Sequence, residues 1–393
     1  MDKLRVRAYN VRFGDAILVS VPDRDPATGD VTPRHILIDV GNVLAGEGGL
    51  DDVFQPVIDD VVEQLEGRPL ALYVMTHEHM DHVQGLLHAA TKIYPDGELA
   101  EKMPVDFAWL SASAEEGYYD RFPDARRKKL QLLGAYDEIE RYLAASPESV
   151  AEPWRTLLLN NNPRKTADCV EFLRELAGED GTTYVHRGID LTDAHPFREA
   201  TFEIWAPEED TSDYYGSFSP MHLGLMPGPA GAGPVATRPL PPPGVDAGAF
   251  YELIEMRRSG IADNLLAIDK AANNSSVVFS LAWRGWTLLF PGDAEIRSWQ
   301  TMEREGVLRP VHFLKVSHHG SHNGTPEAEL FDSILPEVAP DDRPRRALIS
   351  TWNDTYSGIP HDPTNERLAD RCELVSILDE PELAWIDVEF EGE

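Results

Sequence analysis

Thr76-His77-Glu78-His79-Met80-Asp81-His82 packs three histidines and one aspartate into six positions, in the order His-x-His-x-Asp-His. Side chains of this kind at this density point to a bound metal. The run Leu70-Ala71-Leu72-Tyr73-Val74-Met75 before it is a short apolar block that reads as a buried strand. After it, Val83, Leu86, Leu87 and Ala90 recur at helical spacing, so a helix is expected to start near Asp81. A strand-to-helix turn projects several side chains into one small volume. His77 and His79, two apart, are expected to share one metal. Asp81 and His82, at the helix start, are expected to turn towards a second. Imidazole suits zinc, iron or manganese, and a carboxylate adds affinity for harder cations.

Similar strand ends recur along the chain. Phe13-Gly14-Asp15-Ala16-Ile17-Leu18-Val19 is followed by Ile36-Leu37-Ile38-Asp39-Val40-Gly41. In the second half, Trp286-Thr287-Leu288-Leu289-Phe290 ends in Pro291-Gly292-Asp293. Phe313-Leu314-Lys315-Val316 ends in Ser317-His318-His319-Gly320-Ser321. With the His-x-His-x-Asp-His run, these segments resemble the metallo-β-lactamase superfamily of hydrolases. The resemblance implies an α/β fold, a four-layer αββα sandwich. It implies two divalent ions, Zn2+ or Mn2+, held by His77, His79, Asp81, His82, Asp293 and one of His318 and His319. Asp293 matches the family's bridging aspartate. His318 is favoured as the ligand because it comes first after the strand, and the other histidine is left to contact substrate. Asp39 matches an aspartate that braces the ligand loop by hydrogen bonding. A plain turn residue before Gly41 is the other reading of Asp39.

The family's usual third histidine on the first metal has no local counterpart. Asn273-Asn274-Ser275-Ser276 stands in its place, ahead of the strand-like Val277-Val278-Phe279-Ser280-Leu281. Asn274 and Ser275 are expected to support the ligands there. An amide oxygen is a poorer zinc ligand than imidazole but suits manganese or magnesium. A distant histidine, His186, His195 or His222, is the alternative. The asparagine form, Gly-Asp-Ala-Glu at 292–295 and the Ser-His-His-Gly-Ser run resemble one branch: the hydrolase domain of the bacterial competence (DNA-uptake) channel protein and its soluble relatives. Tyr356-Ser357-Gly358-Ile359-Pro360-His361-Asp362-Pro363 is similar to a His-Pro segment of that domain. His361 is either a proton donor near the metals or a structural loop residue.

The 393 residues can bury a large core, and 42% hydrophobic content reads as globular. No apolar run is long enough to span a bilayer, and Met1-Asp2-Lys3-Leu4-Arg5-Val6-Arg7 has no signal-peptide core. Cys169 and Cys372 stand far apart with no Cys-x-x-Cys partner, against a disulfide framework. A cytoplasmic location is the expectation, with no membrane partner. The formal net charge of −33 argues against strong non-specific nucleic-acid binding, which rests on phosphate contacts with basic residues. Arg126-Arg127-Lys128-Lys129 is either part of a basic groove, with Arg164, Lys165 and Arg187, or a solvated helix face.

The expected organisation has a first half of the core over 1–98 and a second over 264–393. Strands are expected near 4–12, 15–21, 34–40 and 70–75. Residues 99–263 read as an insertion: a helical part (Leu132, Tyr136, Ile139, Leu143), a helix over 165–177 and a returning strand, Thr201-Phe202-Glu203-Ile204-Trp205. Residues 207–248 turn Pro/Gly-rich and read as a loop or lid. Helices are expected over about 294–305, 326–335 and 365–372, and a closing strand over 385–390.

The implied chemistry is metal-assisted hydrolysis, with hydroxide held by the metals as nucleophile and Asp81, His319 and His361 as catalytic candidates. The branch resemblance implies a phosphodiesterase or nuclease acting on nucleic acid or a small phosphodiester. The alternatives are a hydrolase of a small ester, lactone or phosphocholine-like diester, and a non-catalytic, metal-stabilised interaction subunit. A regulatory protein partner acting on 207–248 is a further expectation.

Overall fold

The computed structural model describes residues 2–43, 49–144, 152–218, 260–326, 328–352, 356, 358–380 and 384–392. Its strands are β1 (Lys3–Tyr9), β2 (Ala16–Arg24), β3 (Val31–Val40), β4 (Leu72–Val74), β5 (Ala108–Ser111), β6 (Thr182–Val185), β7 (Thr201–Ala206), β8 (Val278–Trp283), β9 (Trp286–Phe290), β10 (Phe313–Lys315), β11 (Arg346–Ile349), β12 (Glu373–Ser376) and β13 (Trp385–Glu391). They form two mixed sheets. The first runs β13-β1-β2-β3-β4-β5-β6, and the second β12-β11-β10-β9-β8-β7. In the first sheet β3 to β6 are parallel, while β13, β1, β2 and β3 pair antiparallel. In the second, β9 to β12 are parallel, while β7, β8 and β9 pair antiparallel.

Period-two alternation sorts the side chains of each strand into layers. Val6, Val19, Ile38 and Val74 of the first sheet share one core with Phe279, Leu288, Phe290 and Leu348 of the second. The intervening residues point outwards. Leu18, Leu37 and Tyr73 pack against helices Asp51–Leu65, Met80–His88 and Pro163–Glu175. Leu289, Leu314 and Ile349 pack against helices Ile296–Arg304, Ala328–Ile334 and Asp362–Ala369. Strands buried on both faces read as near-continuous apolar runs, which is why β4 and β9 stood out in the sequence. Each such Leu, Ile, Val or Phe contributes roughly 1.5–3 kcal/mol on burial.

One expectation on organisation changes. The span 99–263 is not all insertion, because it supplies β5 and β6 to the first sheet and β7 to the second. Helix Pro123–Ala144 does extend beyond the sheets, packing through Tyr136 and Ile139 onto helix Ile261–Asn274. Most of the Pro/Gly-rich stretch 207–248, and His222 with it, lies outside the described residues. Among the described residues no helix is long and apolar enough to cross a membrane. Cys169 and Cys372 are both free thiols.

Candidate metal centre

The parallel strands β3, β4, β9, β10 and β11 all lead into one place at their carboxyl ends, where open α/β sheets assemble their sites. The turn after β4 delivers His77 to His82. The turn after β9 delivers Asp293, and the turn after β10 delivers His318 and His319. Two close approaches need glycine. A Cβ on Gly41 would overlap the backbone of Asp81 and His82. Gly292, at φ 54°, would place a Cβ 2.8 Å from the Thr76 Cβ.

Asp81, His82, Asp293 and His319 converge, with one ligand atom from each lying within 4.8 Å of the others, and all four are buried. His82 Nε2 and His319 Nε2 each stand 3.3 Å from Asp293 Oδ2, and His319 Nε2 is 3.4 Å from Asp81 Oδ2. His82 Nε2, His319 Nε2, Asp81 Oδ1 and Asp293 Oδ1 have no hydrogen-bond partner although buried. Buried polar atoms without partners are rare, and a set of them aimed at one point fits a cation. This buried His/Asp cluster can hold a metal ion.

The supporting shell is complete. Asp39 takes the Thr76 amide at 2.8 Å and the Thr76 hydroxyl at 2.6 Å, and accepts His82 Nδ1 at 2.8 Å. That bond fixes the orientation of the His82 ring so that Nε2 faces the cluster. Asp39 adopts φ 51°, an uncommon conformation held by these three bonds. His319 Nδ1 lies 3.0 Å from the Ser350 carbonyl, its acceptor. The Asp81 amide donates to Asn160 Oδ1 at 3.0 Å. The Asp293 amide donates to Ser276 Oγ at 3.2 Å.

Charge is matched as well as shape. Burial alone would push the His82 imidazole down, but Asp293, Asp81 and Asp39 together raise it well above its ordinary value. His319 follows the same pattern: burial opposes protonation, Asp293, Asp81 and Asp15 together outweigh it, and the imidazole is raised to about 10. The carboxylate field that holds these rings protonated is the field that attracts a divalent cation. His77, beyond the reach of most of that field, is driven well below its ordinary value by burial and by His82 and His79.

His77 Nε2 and His79 Nδ1 face each other at 3.0 Å, beside the cluster and not within it. His79 Nε2 points the other way, 3.9 Å from Asp269 Oδ1, with no hydrogen-bond partner. The two adjacent histidines after β10 diverge, because both adopt positive φ, 48° at His318 and 53° at His319. His319 is carried into the cluster and His318 away from it, to 3.5 Å from Glu295 Oε1. The choice of His318 as cluster ligand is therefore corrected to His319.

Three more expectations are corrected. Asn274 accepts the Ser298 amide at 3.0 Å, a bond that ties two helices together, and donates to the Lys270 carbonyl of its own helix at 2.8 Å. Ser275 donates to the Ala272 carbonyl at the end of its helix. Of that run, Ser276 reaches the cluster by accepting the Asp293 amide, and Asn273 lies beside Glu295, with Nδ2 3.0 Å from Oε1. His361 does not join the cluster: its Nδ1 pairs with Thr364 Oγ1 at 2.9 Å at the start of a helix, and its amide donates to the Gly320 carbonyl. Neither His186, beside the Arg187 carbonyl, nor His195, packed on Phe202, fills the histidine gap.

The arginines of the suggested basic groove are paired with acids. Arg126 pairs with Asp120, Arg127 with Asp124, Arg164 with Asp137 and Glu140, and Arg187 with Glu208 and Glu305. Lys128 donates to the Ser212 carbonyl, and Lys129 reaches Glu78 inside the ligand loop at 3.2 Å.

Several residues at the centre escaped the reading of the sequence. Asp15 is buried and pairs with Lys315 at 2.6 Å, and Ser350 donates to it. The visible signal was Lys315, a charge inside the apolar run of β10. Glu295 stood two places after Asp293. Asp269, on helix Ile261–Asn274, gave no signal. No protein-family model matches the chain, and no curated protein is significantly similar to it.

Proposed function

We propose that this protein is a metal-dependent phosphodiesterase of the metallo-β-lactamase type. The carrying observation is the buried convergence of Asp81, His82, Asp293 and His319 on partnerless atoms at the carboxyl ends of parallel strands. Two sheets around a shared core, with helices outside both, support the αββα reading.

Asp81, His82, Asp293 and His319 would hold one divalent ion, Zn2+ or Mn2+, and His77 and His79 would offer two nitrogens to a second. Bound divalent ions acidify water and polarise a phosphoryl oxygen. The chain's own contribution is preorganisation. Asp39 and the Ser350 carbonyl keep Nε2 of His82 and His319 aimed inwards. Burial opposes ionisation of Asp81, but the charged neighbours led by His82 outweigh it and hold the carboxyl below its ordinary value, in the ionised form a metal ligand needs. Phe13, 4.4 Å from the His319 ring, and Tyr356, 5.1 Å from Phe13, wall the centre against bulk solvent.

Cleavage assays with Mn2+ and Zn2+ on single- and double-stranded nucleic acid and on chromogenic diesters test the reading. Activity that disappears in Asp81→Ala/His82→Ala supports it. Absence of cleavage on every phosphodiester sinks it. A small diester is the second reading for substrate, favoured by the net charge of −33 and by the paired state of Arg126, Arg127, Arg164 and Arg187. Diester activity without nucleic-acid cleavage selects it.

A further inference from the structure

Beside the His/Asp cluster lies a second group that the reading above does not use. Asp269, on helix Ile261–Asn274, Glu295, in the turn after β9, and His318, in the turn after β10, bring one ligand atom each within 4.8 Å of one another. Asp269 is 8% exposed and Glu295 4%. Among the described residues neither carboxylate has a lysine or arginine within ion-pair distance; their ionic neighbours are His79, 3.9 Å from Asp269, and His318, 3.5 Å from Glu295. Two buried carboxylates this close repel unless something positive lies between them.

Two independent observations point to what that is. His79 is 2% exposed, and its Nε2 faces Asp269 without a hydrogen-bond partner. Asn273 is fully buried, and its Oδ1 also lacks a partner. Its Nδ2 lies 3.0 Å from Glu295 Oε1, 3.3 Å from Asp269 Oδ2 and 3.5 Å from His318 Nε2. One amide nitrogen is thus bridging a group made for a larger charge. Oxygen and nitrogen of an amide exchange places by a half-turn, and the turned Asn273 would offer Oδ1 to the same point. His318 Nδ1, also without a hydrogen-bond partner, completes the set.

We propose that Asp269, Glu295 and His318, joined by the Asn273 amide oxygen, form a separate site for a hard divalent cation such as Mn2+ or Mg2+. Its donors are chiefly oxygens, with one imidazole, which suits manganese or magnesium better than a nitrogen-rich site does. Asp269 also accepts from Asn161 Nδ2 at 2.9 Å, a bond that fixes the carboxylate towards the group. The site stands whether or not the protein hydrolyses anything.

The test is an Mn2+ titration of the full chain, counting bound ions by loss of the free-ion EPR signal. The wild type, Asp269→Asn/Glu295→Gln, Glu295→Gln alone, Asp293→Ala and the combined variant are compared. The double variant is expected to bind one Mn2+ fewer than the wild type. Asp293→Ala should lose a different ion, and the combined variant should lose both. Removing one of two repelling carboxylates favours folding, so Glu295→Gln serves if the double variant does not fold. In it the Mn2+ affinity of this site should fall at least tenfold. Unchanged stoichiometry and affinity in folded Glu295→Gln or the double variant would overturn the proposal, as would losses that fail to add to those of Asp293→Ala. The first outcome leaves the hydrolase reading untouched, and an inactive enzyme leaves this count untouched.

Discussion

The Asp81/His82/Asp293/His319 cluster and the Asp269/Glu295/His318 group lie side by side and are built differently. The first takes every residue from the turn or helix start that directly follows a parallel strand. Asp39 and the Ser350 carbonyl fix its two imidazoles from behind. The second takes a residue from the middle of a helix and depends on a side-chain amide, that of Asn273, for its present contacts. The first is half nitrogen, while the second is mostly oxygen. Adjacent residues of one turn, His318 and His319, serve opposite groups because their positive φ values splay the rings. The comparison teaches that one backbone turn can feed two side-chain groups of different donor hardness.

The largest expected effect comes from Asp293, whose Oδ2 lies against both cluster imidazoles. Asp293→Ala should lower hydrolysis by about three orders of magnitude, the equivalent of several kcal/mol of charge stabilisation. Steady-state kinetics on a diester check it, and a variant within tenfold of wild type would break the assignment of the first group as the reactive one. Next comes the shell behind it. Asp39→Asn should weaken metal binding by roughly 10–100-fold, as removal of a histidine's orienting partner does. Competition with a chelator measures this, and an unchanged affinity would mean that strand geometry alone aims His82. The smallest effect belongs to His361. Its imidazole pairs with the Thr364 hydroxyl beside the start of helix Asp362–Ala369. His361→Ala should lower stability by about 1 kcal/mol, as loss of one side-chain hydrogen bond does, with turnover nearly unchanged. Chemical denaturation and kcat together check it, and a collapse of kcat at constant stability would return His361 to the chemistry.

The same contrast explains what could be read in advance. The first group lay open because its ligands follow apolar strands in short motifs, and strand ends are legible as breaks in hydrophobic runs. His77 to His82 and Asp293 each follow such a run. The choice between His318 and His319 was not legible, since it rests on two backbone dihedrals that no residue pattern encodes. Asp269 was hidden for a different reason. A polar residue in an amphipathic helix looks like solvent-facing surface until the neighbouring helix is known. Strands β5 and β6 escaped because each has only four residues. Asp15 is a case between the two: its partner Lys315 was a visible anomaly within β10, but the pair joins residues 300 positions apart.

The central claim is that Asp81, His82, Asp293 and His319 are metal ligands. Anomalous diffraction from crystals grown with Mn2+ or Zn2+ tests it most directly. The account predicts a peak bonded to His82 Nε2, His319 Nε2 and the carboxylates of Asp81 and Asp293. Metal-saturated crystals with no peak among these four side chains would contradict it.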